Sequence, residues 1–363
     1  MLLIVRSTYS ATDGRVQNHL KSLQFLGCPI TIIDWPRTKN DQLKAREMKM
    51  PNVISFTLIS GMYGNFVKTL FGRIIFDLFV LAKIFKFRGK LKTIILSDLD
   101  TALLAVFIRT FFKGRIIFDI YDHYSDVFRE NKFINYLENK CIHWSDNVII
   151  CAEWRRKILP IDVRNRAIVI ENFSLLEAKV AKSNNAISNS IIKVLYIGVL
   201  QPKIRGLENL VQAVIESHNK VQLVIGGFGP LEDEFKSLNS SKIVFIGPVG
   251  HDETTKFIND CNVIVGFYYL NGALHHENAA PNKYYEHLKY GKAIITNVGP
   301  AFAKVVEQKS TGYVIEEGLV SMKNLIDNLE LEDIKLKSSA ALDLWPSFLT
   351  RNRQAYLSLI NNN

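Results

Sequence analysis

Short apolar runs alternate with longer helical patterns along most of the chain, and this alternation constrains its fold more than any other feature. The runs are rich in Val, Ile and Leu. Strands that alternate with helices predict parallel sheets joined by right-handed crossovers. Twelve runs have strand character: Leu2–Val5, Ile30–Ile33, Val53–Phe56, Thr93–Leu96, Arg115–Phe118, Val148–Ile150, Ile168–Ile170, Val194–Ile197, Val221–Ile225, Ile243–Ile246, Val263–Phe267 and Ala293–Thr296.

One polar stretch divides the alternation into two parts. Residues 181–190, AKSNNAISNS, are rich in Ser, Asn and Ala and have no apolar period, so they are typical of a linker. A length of 363 residues suits two domains. We therefore expect an α/β protein with two doubly wound, Rossmann-like domains, residues 1–180 and 191–343, and a ligand site in a cleft between them.

The net charge of +10 is confined to the first half of the chain. Residues 1–172 carry 26 Lys and Arg against 16 Asp and Glu, whereas the remaining residues carry 19 of each. A hydrophobic content of 48% excludes a disordered or fibrous chain. A one-sided basic domain favours a polyanionic partner, either nucleic acid or an anionic membrane face.

The cysteines and the N-terminus indicate a cytoplasmic protein. The four cysteines are widely spaced and form no C-x-x-C pair, which favours buried thiols in a reducing compartment. The apolar run after Met1 ends at Arg6 and is too short for a signal peptide. No stretch of 18 apolar residues lacks charge, so we expect no transmembrane helix.

Residues 66–92 combine cations with apolar side chains at three- and four-residue steps. Seven cations oppose one acid, and they include Lys68, Arg73, Lys83, Lys86 and Arg88. A basic amphipathic helix can lie in an anionic bilayer surface, where each nearby Lys or Arg contributes about 1 kcal/mol. The alternative is an ordinary domain helix with a solvated basic face. Because no nucleic-acid-binding motif is recognisable, we expect no nucleic acid partner.

Two loops in the second half have the character of phosphate sites. A strand runs through Gly226, Gly227 and Gly229 into a helix, and glycines let a backbone approach a ligand closely. A second strand ends at Gly198 and is followed by Lys203 and Arg205 before the next helix, which suits a diphosphate. The alternatives are a simple tight turn and a solvated basic loop.

The segment Ala280–Thr296, APNKYYEHLKYGKAIIT, is the most informative stretch. Pro281 and Asn282 open a helix, Gly291 closes it, and a strand follows. Glu286 lies in the first turns of that helix. Its carboxylate could accept hydrogen bonds from the vicinal hydroxyls of a ribose, although alone it is also compatible with a solvated helix acid.

Together these segments resemble the family-four glycosyltransferases of the GT-B fold. Residues 280–296 resemble their P-N-K-x-x-E-x-x-x-x-G-K-x-x-I signature, 226–230 their G-x-G-P turn, and 196–206 their Y-x-G-x-L…K-G loop. In the first half, 97–100 followed by 117–122 resembles their H-x-H-D…Y-D-x-H-E pattern. The resemblance covers nearly the whole chain, and several weak motifs in the right order favour it.

The resemblance implies a nucleotide sugar, UDP- or GDP-linked, as substrate, with no other cofactor. Glu286 would bind the ribose, Lys203 and Arg205 the diphosphate, and Gly14 would lie in the first-domain glycine loop near the phosphates. The implied donor-binding set is Gly14, Gly198, Lys203, Arg205, Gly227, Gly229, Asn282, Lys283 and Glu286. Cations and helix dipoles stabilise the leaving diphosphate without a metal.

The basic and apolar segment 66–92 favours a membrane-side acceptor for such a transfer. A polyprenyl-diphosphate-linked sugar or a growing surface glycan would receive a hexosyl residue, and the resemblance implies retention of anomeric configuration. The protein would associate peripherally with the inner face of the plasma membrane through its basic half. Residues 344–363 would form a helix, interrupted early by Pro346, in which Trp345 crosses back to brace the first domain.

Three positions depart from the family pattern. The family has two glutamates separated by seven residues, but Asn278 occupies the first position here, with Glu277 next to it. Val199 stands where many members have arginine. Tyr121 fills the position of the family's histidine, and His123 follows two residues later. The candidate catalytic residues are therefore Glu277, Tyr121, Asp122 and His123.

Two other functions suit the same architecture. A nucleotide-sugar epimerase would turn over without an acceptor, and a glycosyltransferase that has lost catalysis would serve as a binding subunit, which Asn278 and Tyr121 favour. Asp98-Leu99-Asp100 also superficially resembles the D-x-D metal site of the other glycosyltransferase fold. The helix after it and the second βα domain favour GT-B, so we expect no metal site.

Overall fold

The computed structural model describes residues 1–48, 50–60, 66–128, 131–177, 191–270 and 274–361. The chain forms two compact units. The first contains Met1–Glu177 together with Thr350–Asn363, and the second contains Ala178–Leu349. The predicted linker, residues 181–190, lies outside the described residues.

The first unit is built on a parallel sheet with the strand order β3-β2-β1-β4-β5-β6-β7. The chain leaves β1 toward β2 on one side and continues from β4 on the other, so the sheet changes direction between β1 and β4. The strands are β1 (Leu2–Arg6), β2 (Ile30–Asp34), β3 (Val53–Ser55), β4 (Thr93–Ser97), β5 (Arg115–Ile120), β6 (Asn147–Ile150) and β7 (Ala167–Val169).

Both faces of this sheet are buried because successive side chains of a strand point to opposite faces. Leu3 and Val5 pack into one apolar cluster, and Leu2 and Ile4 pack into the other. The helices of this unit are α1 (Gly14–Phe25), α2 (Lys39–Glu47), α3 (Phe66–Phe87), α4 (Asp98–Ala102), α5 (Ala105–Ile108), α6 (Tyr124–Val127) and α7 (Lys132–Trp144). Short 3-10 helices span Ser10–Thr12, Glu153–Ile158, Ile161–Arg166 and Leu175–Glu177.

The second unit repeats the design with the strand order β10-β9-β8-β11-β12-β13, again all parallel. Its direction changes between β8 and β11. The strands are β8 (Ile192–Val199), β9 (Val221–Phe228), β10 (Ile243–Gly247), β11 (Val263–Val265), β12 (Ala293–Asn297) and β13 (Gly312–Ile315). The helices are α8 (Leu207–Glu216), α9 (Glu232–Lys236), α10 (His251–Asp260), α11 (Asn282–Tyr290), α12 (Ala301–Gln308) and α13 (Leu319–Asp327), with a 3-10 helix at Leu274–Asn278.

The last helix, α14 (Leu331–Asn361), belongs to both units. It begins thirteen residues before the predicted Leu344 and contains Pro346 in its interior. Trp345 is buried within the second unit, whereas Tyr356 and Leu359 join the apolar cluster of the first. The helix therefore starts earlier than predicted, and Pro346 lies inside it without ending it.

The predicted α/β class with two parallel sheets is confirmed, and all twelve predicted strands are present. The edge strand β13 was missed, although Tyr313, Val314 and Ile315 form a short apolar run. No helix in the described part of the chain combines the length and apolar character that a membrane span requires.

Candidate functional site

A pocket of about 420 Å³ lies in the second unit, at the carboxyl ends of β8 and β11. These are the two strands between which the sheet changes direction, and ligands of open parallel sheets bind at such points. The pocket is lined by Tyr196, Ile197, Gly198, Val199, Arg205, Val249, Thr254, Gly266, Phe267, Tyr268, Asn282, Lys283 and Glu286.

The strand ends beside the pocket require glycine. Gly227 of β9 pairs with Gly198 of β8, and a Cβ on Gly227 would lie 1.8 Å from the Gly198 carbonyl oxygen. Its φ of 134° is also one that L side chains rarely adopt. A Cβ on Gly229 would lie 2.7 Å from the Leu200 carbonyl oxygen. Close packing between β8 and β9 therefore accounts for both glycines, which were predicted to face the nucleotide.

Two cations and one carboxylate set the charge of the pocket lining. The Arg205 guanidinium lies over the Tyr268 ring, 4.3 Å from its centroid, and the Lys283 ammonium lies 4.8 Å from the Tyr196 ring centroid. Such contacts hold a cation in place without neutralising it. Glu286 follows Lys283 by three residues on α11, so both side chains share one face of that helix.

Burial controls the protonation of two groups near this pocket. It lowers the pKa of Lys283 to about 8, with Glu286 opposing the shift and Arg205 adding to it. Burial also lowers the pKa of His276 to about 4, and Nδ1 of that ring lies 2.8 Å from the Tyr269 carbonyl oxygen. At pH 7 the positive charge here is therefore carried by Arg205 and Lys283 rather than by His276.

The structure brings five of the predicted donor-binding residues together in this pocket: Gly198, Arg205, Asn282, Lys283 and Glu286. Lys203 is not part of the lining. Its side chain is exposed, its backbone is left-handed with φ of 66°, and its N–H donates to the Glu208 carboxylate at 2.9 Å. The second cation of the pocket thus comes from α11 and not from the loop after β8.

Glu277, predicted to lie near the transferred sugar, also lies outside the lining of this pocket. It is half-buried on the 3-10 helix Leu274–Asn278, beside the buried Asn278. Its replacement of the missing family glutamate stays a prediction.

The sequence reasoning missed the aromatic wall of the pocket. Tyr268 carries Arg205 on its ring, and Thr254 of α10 contributes a hydroxyl to the lining. The position of Tyr268 gave a usable signal, because it follows β11 at the carboxyl end of a central strand. Thr254 gave none, since nothing in the pattern of α10 marks it.

A polar cluster lies in the first unit, at the carboxyl ends of β1 and β4. Arg6, the last residue of β1, donates to Asp13 and to Asp98, each at 2.8 Å. Its guanidinium lies 4.2 Å from the centroid of the Tyr121 ring. Burial raises the pKa of Asp98 to about 7, although Arg6 opposes the shift, and the residue has φ of 72°. Asp98 thus combines a strained backbone conformation with a carboxyl group that pairs with an arginine.

The neighbouring Asp100 is also paired with arginines. It accepts from Arg73 at 2.8 Å and Arg37 at 3.1 Å, and from the hydroxyl of Ser7. Both carboxylates of the D-x-D-like segment therefore have guanidinium partners. Across the described ranges, no group of three or more His, Cys, Asp and Glu side chains is placed to hold a metal ion.

Tyr121 lies between two guanidinium groups, those of Arg6 and Arg15, at 4.2 and 5.3 Å from its ring centroid. Burial raises the pKa of its hydroxyl well above the usual range. Tyr121 therefore stays protonated at neutral pH, and its role as a catalytic residue stays a prediction.

The two residues after it have opposite environments. Asp122 is exposed, and its carboxylate lies 3.5 Å from Arg155. His123 is buried, and its Nδ1 lies 3.8 Å from the Glu138 carboxylate. His123 is thus packed inside the first unit, and of the pair only Asp122 is open to a solvent-borne acceptor.

Gly14 is the first residue of α1 and is exposed. The amides of Arg15 and Val16, which a phosphate would use, both donate to the Asp13 carboxylate at 3.1 Å. The Arg15 side chain turns inward to Asp119. Asp13 therefore caps this helix end, which was predicted to lie near the donor phosphates.

The helix α3 is apolar on two opposite faces. One face is buried in the core and contains Phe76, Val80 and Ile84. The other, the apolar stripe of α3, is between 51 and 58% exposed at Phe71, Ile74, Leu78 and Phe85. Apolar side chains at this spacing form a continuous exposed surface, which single exposed residues would not.

The predicted membrane-facing cations differ in their surroundings. Arg73 is directed to Asp77 and Asp100, both at 2.8 Å, and Lys83 is half-buried over the Phe79 ring. The side chain of Lys68 lies outside the described residues. Two cations are exposed at the end of the stripe, Lys86 and Arg88, the latter 3.7 Å from the Phe85 ring centroid.

Residues 192–329, which contain the whole pocket, match the family model described as Glycosyl transferases group 1. This segment of the second unit, less than half of the chain, is similar to group 1 glycosyltransferases. Among curated proteins, none matches this sequence.

Solved structures with a similar fold match this chain over nearly its whole length. The sucrose-phosphate synthase of Thermosynechococcus elongatus has a TM-score of 0.75 at 15% identity and covers 100% of both chains. Anabaena HepE in complex with UDP has a TM-score of 0.71 at 13% identity and covers 99% of both. The α,α-trehalose 6-phosphate synthase of Burkholderia multivorans reaches 0.67 at 12% identity over 99% of this chain and 96% of its own. The resemblance to family-four-like GT-B glycosyltransferases is thereby confirmed.

Proposed function

We propose that this chain transfers a hexosyl residue from a UDP- or GDP-sugar to a lipid-linked or growing surface glycan. The observation that carries the proposal is the pocket at the ends of β8 and β11, where Arg205, Lys283 and Glu286 converge. Glu286 is suited to the ribose hydroxyls and the two cations to the diphosphate. Anabaena HepE, solved with UDP and with UDP-glucose, has the same fold and supports the assignment.

The positive charge of the pocket suits the proposed reaction, which releases an anionic diphosphate. The bond between the sugar C1 and the β-phosphate oxygen breaks, and C1 forms a bond to an acceptor hydroxyl, whose proton passes to the departing diphosphate or to solvent. Positive charge next to the leaving oxygen stabilises this step. Arg205 and Lys283 supply that charge from the protein itself, which favours a metal-independent transfer. Retention of configuration is proposed from the family alone.

The acceptor side of the proposal rests on the first unit. The apolar stripe of α3 ends at Lys86 and Arg88, so apolar and positive surfaces adjoin. That combination suits an anionic bilayer that contains a polyprenyl diphosphate, and it favours peripheral association with the cytoplasmic face of a membrane. Asp122, which is exposed just after β5, is the residue that we propose to meet an acceptor hydroxyl.

The test uses purified protein with vesicles that contain a polyprenyl-diphosphate sugar, and a panel of UDP- and GDP-hexoses. We expect one donor to release its nucleotide only when the acceptor is present, with a glycolipid that is larger by one hexose. Conversion of the donor to an isomeric nucleotide sugar without acceptor would indicate an epimerase. Tight nucleotide binding without turnover of any donor would indicate a binding subunit.

A further inference from the structure

The first turn of α11 reaches back to the end of β8. Lys283 is the second residue of that helix, yet its Nζ lies 2.8 Å from the point where a Cβ on Gly198 would stand. The ammonium group therefore occupies space that only a glycine at residue 198 leaves open. The next residue, Val199, is exposed and uncharged.

We propose that Lys283 supplies the diphosphate-binding charge at the end of β8 that the family's loop arginine supplies elsewhere, so that a cation on α11 replaces the one missing at Val199. The proposal rests on the proposed nucleotide-sugar function. It also replaces the expectation that Lys203 fills this role, because Lys203 is exposed and is not part of the pocket lining.

The charge of the lining shows why a second cation is needed. Arg205 and Lys283 against Glu286 leave one net positive charge in the described lining. Without Lys283, the remaining Arg205 and Glu286 would sum to zero, and a nucleoside diphosphate would enter with its negative charge unmatched. Burial of an anion in such a pocket is unfavourable unless a cation or several donors meet it.

The surroundings of Lys283 hold it in position for this role. Its ammonium lies beside the Tyr196 ring, and the Tyr196 hydroxyl donates to the Val199 carbonyl oxygen at 2.6 Å, which fixes the ring at the strand end. The N-terminus of α11 opens onto the same pocket through Asn282, and Pro281 offers no side-chain acceptor to its first amides. The helix dipole therefore adds to the charge of Lys283.

Ligands that differ only in the diphosphate distinguish a role of Lys283 in diphosphate binding from a role in the structure of the pocket. Calorimetry with UDP and uridine, and with GDP and guanosine, measures the contribution of the diphosphate alone. For whichever pair binds, we expect Lys283→Met to weaken the diphosphate about ten- to hundredfold and to leave the nucleoside within about twofold. Lys220→Met, an exposed lysine just before β9, is the control and is expected to bind both as the wild type does.

A relocation variant tests the replacement directly. Val199→Arg in the Lys283→Met background returns a cation to the end of β8, and we expect it to regain most of the lost diphosphate affinity. Lys283→Arg keeps the charge and is expected to stay within about fivefold of the wild type. Thermal unfolding of each variant shows whether it is folded, and Lys283→Arg keeps the test informative if Lys283→Met is not.

The possible negative results distinguish a failure of the proposed function from a failure of the role proposed for Lys283. If the wild type binds no nucleoside diphosphate, the proposed function is overturned and this inference with it. If the wild type binds UDP or GDP but Lys283→Met binds equally well, only the role of Lys283 is overturned. Equal losses of diphosphate and nucleoside would likewise overturn it, because they would assign Lys283 to pocket structure. A relocation variant that stays weak would overturn the replacement of the loop arginine.

Discussion

The hydroxyl of Tyr356 lies 3.0 Å from Nδ1 of His19, and both side chains are buried in the first unit. Nε2 of the same ring lies 2.9 Å from the Asp119 carboxylate, which also pairs with Arg15 at 2.7 Å. In the tautomer that donates from Nε2, Nδ1 accepts from the tyrosine hydroxyl. Tyr356 and Asp119 are thus joined through the imidazole of His19, which lies 337 positions before Tyr356, and the end of α14 is tied to α1 and β5.

Asp119→Asn is expected to destabilise the first unit by about 3–5 kcal/mol at pH 7, because it leaves the Arg15 guanidinium buried without its counter-charge. Burial alone would raise the pKa of Asp119, but Arg15 and His19 outweigh it and hold it at about 2. The stability that this carboxylate contributes is therefore complete above its unfolded pKa of about 4 and is lost as the pH falls toward 2. Urea unfolding at pH 7 and at pH 3 measures the difference between variant and wild type. A difference of the same size at both pH values would contradict the prediction.

Glu286→Ala is expected to weaken UDP or GDP binding about ten- to hundredfold, since a carboxylate that binds ribose accepts charge-assisted hydrogen bonds. Uridine or guanosine should lose the same factor, in contrast to Lys283→Met. Glu253→Ala, on the exposed side of α10, is the matched control and should change neither ligand. Unchanged nucleoside affinity in Glu286→Ala would remove Glu286 from the ribose site.

The affinity for the nucleoside diphosphate is expected to fall as the pH rises from 7 to 9. The pKa of Lys283 is lowered to about 8, so its ammonium is mostly present at pH 7 and mostly lost at pH 9. Glu286 and Arg205 are the charged groups that act on this ammonium, and burial raises the pKa of the nearby Tyr196 and Tyr268 hydroxyls. Calorimetry across this range should show about a tenfold loss for the wild type and a flat profile for Lys283→Arg.

Ile74→Glu combined with Leu78→Glu is expected to reduce binding to anionic vesicles more than tenfold, because both residues lie in the apolar stripe of α3. Co-sedimentation with phosphatidylglycerol and phosphatidylcholine vesicles measures this. Leu336→Glu, an exposed leucine of α14, is the control and should bind as the wild type does. Lys86→Glu with Arg88→Glu should lose the preference for the anionic lipid. Equal binding by the stripe variant and the control would show that the stripe does not face a membrane.

Gly227→Ala is expected to unfold the second unit or to destabilise it by more than about 3 kcal/mol, since its Cβ would lie 1.8 Å from a backbone oxygen of β8. Gly247→Ala is the control in the neighbouring strand. Gly247 also has a positive φ, 71°, but its Cβ would meet open space, so the cost should stay near 1–2 kcal/mol. Thermal unfolding of the two variants, compared side by side, separates the steric effect from the effect of backbone conformation.

The fold was largely predictable because it depends on local periodicity. Val194–Ile197 and its counterparts carry their strand character in their own sequence, and Gly291 ends α11 as a left-handed cap should. Pro346 was misleading, since the buried Trp345 and Phe348 beside it pack firmly enough for α14 to accommodate a proline. Contacts with residues distant in the sequence stabilise the helix at Pro346, and a local sequence pattern does not contain those contacts.

The site was predictable only in part, because the sequence does not show where the charged ends of its long side chains lie. Glu286 and Arg205 could be placed from motifs because the helix and loop that carry them are short and regular. Lys203 and Lys283 have the same charge, so charge alone does not show which of them lines the pocket. The left-handed backbone at Lys203 and the space beside Gly198, which holds the Lys283 ammonium, are visible only in the structure. The pairing of Arg15 with Asp119 spans 104 positions and has no sequence signal of its own.

The sharing of α14 between the two units affects the order in which the protein matures. Tyr356 and Leu359 complete the apolar cluster under β1, yet they are synthesised long after the seven strands of that sheet. At roughly 5–20 residues per second, the core of the first unit stays open for roughly ten to forty seconds after Glu177 is added. During that interval the apolar cluster of the nascent first unit lacks the side chains of Tyr356 and Leu359, so part of its hydrophobic surface stays exposed.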